Sequence, residues 1–176
     1  MGLLVVLAII TISSIYAQDI GTAIMYYNLG LEYRDKGDHD QALKYFDQAI
    51  RLLPDYFPDA YYDRGIIYYY NGDYIRAIAD FSQTIKQEPV NYVRAYNNRG
   101  VCYFNIKDYD RAIADFTQAI RLGQDDASTY NNRALAYAYK GESNLAIADW
   151  ETVLKLNPNN QDAKRNIEIA KQNQNR

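Results

Sequence analysis

The stretch that decides the fold runs from Val93 to Ala119 and reads VRAYNNRGVCYFNIKDYDRAIADFTQA. It places Gly100 four residues after Tyr96 and three before Tyr103, so the three residues share one face of a helix. The same pattern of a ring, a small residue and a tyrosine occurs four times, at Tyr26-Gly30-Tyr33, Tyr61-Gly65-Tyr68, Tyr96-Gly100-Tyr103 and Tyr130-Ala134-Tyr137. The small residues are 35, 35 and 34 positions apart. A period of this length predicts a stacked array of helical units.

A second helical pattern follows each of these runs after a short turn. Its small and large residues recur at i, i+4 and i+7 spacing, at Ala42-Phe46-Ala49, Ala77-Phe81-Thr84, Ala112-Phe116-Ala119 and Ala146-Trp150-Val153. Three of the four turns carry a glycine, which can end the first helix in the left-handed conformation, and all four carry an acid that suits the start of the second helix. We therefore expect two antiparallel helices in each unit, packed closely where a small residue faces a ring.

This succession of rings, small residues and turn residues resembles the tetratricopeptide repeat. The resemblance covers residues 23–160 in four units, at 23–57, 58–92, 93–126 and 127–160. It implies an all-α fold, a right-handed α-solenoid of antiparallel helix pairs. Residues 161–176 are expected to form a capping helix and tail, because Lys164, Glu168 and Lys171 break the repeat pattern with charges.

The first 17 residues differ from the rest, because no residue from Gly2 to Ala17 is charged. A bilayer-spanning helix needs about 20 apolar residues. This shorter block resembles an export signal that is cleaved after Ala17. It lacks a basic segment, so an uncleaved membrane anchor and a misassigned start remain as alternatives. We expect an exported (periplasmic or extracellular) or membrane-anchored protein, and a cytoplasmic one if the segment is not a signal.

Few residues suggest chemistry. His39 falls in a turn without a Cys or His companion, and Cys102 is the only cysteine, which we interpret as a buried apolar residue. Asp59 and Asp63 lie one helical turn apart, but two carboxylates alone make a poor cation site, and we interpret them as solvated acids. The sequence shows no nucleotide-binding loop, nucleophile elbow or zinc spacing. We expect no enzymatic activity, catalytic residue, metal or cofactor. The net charge of -3 also argues against nucleic acid as a partner.

Charged residues recur inside the last three units. An arginine precedes the small residue of each first helix and an aspartate precedes the ring of each second helix, at Arg64, Arg99, Arg133, Asp80, Asp115 and Asp149. Unit one has Leu29 and Tyr45 at these places. This joint presence and joint absence predicts ion pairs between helices, in the same unit or the next. Solvated charges are the alternative.

The face opposite the packing stripe of each first helix is the candidate binding surface, and in tetratricopeptide arrays that face lines a concave groove. The candidate groove residues are Tyr27, Asn28, Leu31, Asp59, Tyr62, Asp63, Ile66, Tyr70, Arg94, Asn97, Asn98, Val101, Asn131, Asn132, Leu135 and Tyr139. Asparagine amides present a donor and an acceptor together, as a peptide unit does. Tyrosines add contact area at a low entropic cost.

These side chains suit an extended or helical segment of a partner protein, so we expect a non-enzymatic interaction module. Self-association into a homo-oligomeric scaffold is the alternative, and glycan binding is a weaker one. A membrane would be contacted only through an uncleaved segment 1–17. Some family members hold a chaperone carboxylate in a lysine-and-arginine clamp, but the five matching places here hold Tyr62, Ile66, Asn98, Ser128 and Asn132. Only Asn98 agrees, so the clamp function is not expected.

Overall fold

The computed structural model describes the backbone of residues 2–174 and the side chains of residues 17–174. Over this part the chain forms nine helices and no strand. They are α1 (Gly2–Asp35), α2 (His39–Leu52), α3 (Pro58–Tyr70), α4 (Tyr74–Gln87), α5 (Val93–Asn105), α6 (Tyr109–Arg121), α7 (Ala127–Lys140), α8 (Ser143–Leu156) and α9 (Gln161–Gln174). Each helix packs against its neighbours in the chain. The predicted all-α solenoid of helix pairs is confirmed.

In the first three units, the turn inside the helix pair is closed by an aspartate that follows the residue of positive φ, which is glycine in units one and two and Lys107 in unit three. The backbone N–H of Asp108 donates to the carbonyl of Tyr103 at 2.9 Å, and its carboxylate accepts from the N–H of Arg111. The first two units repeat this arrangement with Asp38 and Asp73. Such paired contacts satisfy carbonyls at the end of one helix and amides at the start of the next.

The two helices of a unit approach most closely at the small residue of the first helix. A Cβ atom added to Gly100 would lie 2.8 Å from Cε1 of Phe116, and one added to Gly65 would lie 2.9 Å from Cε1 of Phe81. Both rings are fully buried. Unit four differs, because Ala134 stands at this place and Trp150 replaces the phenylalanine. The predicted close packing of small residues against rings is confirmed.

The predicted ion pairs are also confirmed, and they lie within each unit. Arg99 donates through Nε and Nη2 to the two carboxylate oxygens of Asp115, both at 2.8 Å. Its third nitrogen, Nη1, donates to Ser82 of the preceding unit. The corresponding pairs are Arg64–Asp80 and Arg133–Asp149. Because each arginine also contacts the unit before it, these pairs join neighbouring units.

Unit one fills the same space without charge. Tyr45, which replaces the aspartate, stacks between Tyr26 and Tyr33 at ring separations of 6.2 and 5.4 Å. In unit three the guanidinium of Arg99 occupies this place, 5.8–5.9 Å from the rings of Tyr96 and Tyr103. A ring and a cation therefore serve as alternative fillings between the same two tyrosines.

The last helix packs backwards onto unit four. Ala163, Ile167 and Ala170 of α9 are buried in one cluster with Trp150 and Val153 of α8. The charged positions of α9 are exposed, at Lys164, Glu168 and Lys171. Cys102 is a fully buried free cysteine, as predicted, and burial raises the pKa of its thiol to about 12.

The predictions for residues 1–17 fall on side chains that, apart from the last, lie outside the described residues. Among the described residues, none of the helices has both the length and the hydropathy to cross a bilayer.

Candidate interaction groove

The first helices of the units, α1, α3, α5 and α7, carry the candidate binding residues. We call the surface that these residues form the groove. Five of the 16 predicted residues are exposed, and the others are partly buried at its floor. The exposed ones are Asn28, Asp59, Tyr70, Arg94 and Tyr139. The groove therefore has a floor of partly buried groups and five side chains open to solvent.

Asp63 is the centre of a polar network between units one and two. The Tyr27 hydroxyl donates to Asp63 Oδ2 at 2.7 Å, and Arg34 Nη1 donates to Asp63 Oδ1 at 2.9 Å. The interpretation of Asp63 as a solvated acid is wrong, since its side chain is only 14% exposed. Burial raises the pKa of Asp63, and the hydrogen bonds from Tyr27 and Arg34 oppose that rise. Burial and the contact with Asp63 raise the pKa of the Tyr27 hydroxyl.

Asp59 lies one turn before Asp63 and remains exposed. It accepts a hydrogen bond from the hydroxyl of Tyr92, in the joint before α5. The Tyr92 ring lies 5.7 Å from the ring of Tyr62, whose hydroxyl accepts from Asn98 Nδ2 at 3.2 Å. Asp59 and Asp63 thus each accept a hydrogen bond from a tyrosine hydroxyl. Among the side chains described, no three His, Cys, Asp or Glu residues are grouped so that they could hold a metal.

The other half of the groove, over units three and four, contains a small apolar cleft. Its volume is about 30 Å³, and it is lined by Val101, Phe104, Phe116, Asn132 and Leu135. The first helices of two units, α5 and α7, thus line one cleft together with Phe116 of α6, and Asn132 is the one polar residue of its lining.

Equivalent asparagines in α5 and α7 have different surroundings. Asn131 accepts a hydrogen bond from Trp150 Nε1 at 3.2 Å. The amide oxygen of Asn97 is buried and has no hydrogen-bond partner among the described residues. The reason is the ring that follows in each unit, since the phenyl group of Phe116 offers no donor where the indole of Trp150 does. The amide oxygen of Asn131 is thus already bonded and that of Asn97 is buried, so neither oxygen is accessible to a ligand.

The four predicted tyrosines are not equally available. Tyr27 and Tyr62 pack 5.8 Å from the buried rings of Phe46 and Phe81. Tyr70 and Tyr139 are 73% and 66% exposed, at the end of the groove near the turns.

Tyr139 is held by two further rings that the sequence pattern did not place in the groove. It stacks on Tyr109 at 5.6 Å with an interplanar angle of 18°, and meets Phe104 edge-on at 5.5 Å. Tyr109 opens α6, so a contact between units, rather than a position on the first helix, brings it here. Arg34 and Tyr92 were missed for the same reason. An unusual ring or charge next to a groove position is the only signal in the sequence that points to them.

Comparisons with known proteins agree with this architecture. Tetratricopeptide repeat models match residues 23–56, 62–127 and 127–160. Among curated protein sequences, none matches the chain significantly. The fold is similar to the crystal structure of MamA protein, with a TM-score of 0.83 and 25% identity over 88% of this chain and 83% of MamA.

Two similar structures contain bound peptides. The first TPR of Spaghetti (RPAP3), bound to the HSP90 peptide SRMEEVD, has a TM-score of 0.63 and 26% identity over 68% of this chain and 94% of its own. The second TPR domain of human RPAP3, in complex with the HSP70 peptide SGPTIEEVD, has a TM-score of 0.60 and 32% identity over 65% of this chain and 98% of its own. The repeat models together cover most of the chain, with the spacing, seams and turns described above. The chain belongs to the tetratricopeptide repeat family.

Proposed function

We propose that this protein is a non-enzymatic interaction module that binds an extended segment of a partner protein in the groove. The observation that carries the proposal is the apolar cleft between α5 and α7, which lies beside the Asn132 amide. Such a site receives an aliphatic side chain and offers hydrogen bonds to the adjoining peptide backbone. The peptide complexes of the two RPAP3 domains support this mode of binding. We do not propose the acidic peptides of those two domains as ligands of this protein, because four of the five clamp places hold different residues here.

Site-specific photo-cross-linking tests the proposal. A photoreactive residue at Leu135, in the cleft, should cross-link to a defined segment of the partner. The same residue at Ala114, exposed on α6 outside the groove, should not. Cross-linking of equal yield at both positions would contradict binding in the groove.

A double replacement, Asn98→Ala with Asn132→Ala, provides the matched test of affinity. We expect binding to weaken about tenfold, because each amide contributes about 0.5–1.5 kcal/mol of net hydrogen-bond energy. The control pair, Asn144→Ala with Asn159→Ala, removes two exposed amides outside the groove and should leave affinity unchanged. Circular dichroism would establish that both pairs fold alike.

We also propose that the protein is exported or held at a membrane, on the basis of the uncharged run from Gly2 to Ala17. Mass spectrometry of the mature N-terminus is the test. A chain that begins at Gln18 indicates a cleaved signal, and an intact N-terminus in the membrane fraction indicates an anchor. An intact N-terminus in the soluble cytoplasmic fraction would refute both.

Self-association is a second candidate function, and it has an observation in its favour. Ile20, Ile24 and Met25 are between 45% and 49% exposed on α1, the first helix of the described array. Exposed apolar patches of this kind mark contact surfaces. Light scattering of the full chain would show an oligomer that the substitution Ile24→Glu dissociates. A monomer at high concentration would exclude this candidate.

A further inference from the structure

The two halves of the groove differ in charge. In the groove over units one and two the charged residues are Asp59 and Asp63. The cation beside them, Arg34, contacts both Asp63 and a third acid, Asp35, at the end of α1. Two negative charges therefore remain uncompensated in this half. They include that of Asp59, whose contact is a neutral tyrosine hydroxyl. The half over units three and four is neutral apart from Arg94 at its boundary.

The potential of the first half acts on the groups that line it. Burial, the hydrogen bond to Asp59 and the charges of Asp59, Asp63 and Glu88 raise the pKa of Tyr92. A cavity of about 330 Å³ opens between Tyr62, Tyr92 and Arg94. The faces of tyrosine rings attract cations, particularly where acids lie beside them. No carboxylate lines this cavity, but Asp59 accepts from the hydroxyl of Tyr92, so a lysine or arginine side chain that lies along the Tyr92 ring would approach Asp59 at the end of that ring.

The half of the groove over units three and four places a separate requirement on the bound segment, namely the size of one of its side chains. The cleft between Val101, Phe116 and Leu135 is small, with a volume of about 30 Å³. Its walls are side chains of two units, so it suits the end of one small aliphatic side chain better than a ring. We infer that the groove receives an extended protein segment that places a lysine or arginine side chain beside Asp59 and a small aliphatic side chain in this cleft. This inference rests on the proposed function and names its class of partner.

The charge of Arg94 predicts the direction in which a substitution there should change the affinity for a basic segment. Arg94 is exposed, and it forms no ion pair among the described residues, so its charge repels a basic segment that approaches Asp59. Removing Asp59 and removing Arg94 should therefore change affinity in opposite directions. Asp59→Asn retains an oxygen that can accept from Tyr92, so this variant loses the charge and keeps the contact. Asp55→Asn removes an equal charge from the exposed loop before α3 and serves as the matched control.

The probes are synthetic extended peptides of equal length in which Arg, Glu, Val and Phe are permuted, measured against the full chain by fluorescence anisotropy. Peptides with Arg and Val should bind tightest. For the best of them, Asp59→Asn should lower affinity about threefold at low ionic strength, and Arg94→Gln should raise it by a similar factor. Both effects should disappear near 1 M salt, where the Debye length is about 3 Å.

Three results would overturn the inference: a preference for Glu over Arg, tighter binding of Phe than of Val peptides, or equal effects of Asp59→Asn and Asp55→Asn. If no permuted peptide binds while Leu135 still cross-links to a partner segment, this inference fails and the proposed function stands. Absence of any cross-link at Leu135 refutes the proposed function itself.

Discussion

At the scale of single residues, the close approach of two helices explains why Gly100 is glycine. A methyl group at this position would lie 2.8 Å from the Phe116 ring, which is fully buried and cannot swing into solvent. Gly100→Ala should therefore lower the free energy of unfolding by about 1–3 kcal/mol, as overpacked cores do. Urea unfolding followed by circular dichroism measures this change.

Gly21→Ala is the matched control for that substitution. Outside the backbone of its own helix, no described atom lies within 4 Å of a Cβ at Gly21, so alanine should stabilise α1 by up to about 1 kcal/mol through its helix propensity. If the two substitutions changed stability in the same direction, the packing explanation for Gly100 would be wrong.

Lys107 is the one described residue other than glycine with a positive φ, at 65°. It ends α5 at the place where the other units have Gly37, Gly72 and Gly141. Because a side chain in this left-handed conformation costs about 1 kcal/mol, Lys107→Gly should stabilise the protein by that amount. The reverse exchange, Gly141→Lys, should destabilise it similarly in thermal unfolding. Equal melting temperatures for parent and Lys107→Gly would show that the turn tolerates lysine without strain.

At the scale of helices, the buried ion pairs provide the strongest test of how units are joined. Arg99→Leu would leave Asp115 buried without the guanidinium that contacts it, at an expected cost of about 3–5 kcal/mol. Unit one shows an uncharged pair that fills the same space, because Leu29 and Tyr45 stand there at the places of Arg99 and Asp115. The double variant Arg99→Leu with Asp115→Tyr should therefore recover most of the loss. A single variant as stable as the parent would show that the pair contributes nothing.

The single variant should also respond to pH. Burial raises the pKa of Asp115, and the opposing effect of the guanidinium is lost in Arg99→Leu. The folded state then holds the carboxyl proton more tightly than the unfolded state, whose pKa is about 3.9. The stability of the variant relative to the parent should rise as the pH falls through the raised pKa toward that value. A destabilisation that is constant with pH would mean that Asp115 has found another cation.

Much of this helix-scale organisation could be predicted from the sequence, because it repeats. The seam at Gly100 and the pair of Arg99 with Asp115 recur at fixed spacing. The contact of Tyr27 with Asp63 recurs one unit later as the contact of Tyr62 with Asn98, but there the tyrosine hydroxyl accepts instead of donating. The contact of Arg34 with Asp63 has no such counterpart, because Tyr69 stands at the matching place in unit two. The candidate groove positions followed from the repeat, whereas their hydrogen-bond partners required the structure.

At the scale of the whole molecule, the helices at the two ends of the array carry charged residues at places where the internal helices carry buried apolar ones. Ile67 and Cys102 are buried where α3 and α5 pack on the preceding unit, and α1 has Glu32 at the same place. At the other end, the outer face of α9 is charged. In an array held together by nearest-neighbour contacts, charges at these places disfavour the stacking of a further unit on them.

The capping role of α9 can be tested by deleting residues 161–176. The deletion would expose the side of Trp150 and Val153 that now packs on Ile167, with an expected loss of about 2–4 kcal/mol from unit four. Trp150 is the only tryptophan, so its fluorescence reports on this unit and should shift to longer wavelength. Light scattering should show association through the uncovered face.

Glu168→Gln, which changes the exposed side of α9 alone, is the control for this deletion and should leave the fluorescence and the light scattering unaltered. An unshifted emission and an unchanged unfolding midpoint in the truncated protein would mean that α8 is a sufficient end to the array, and that α9 serves another purpose.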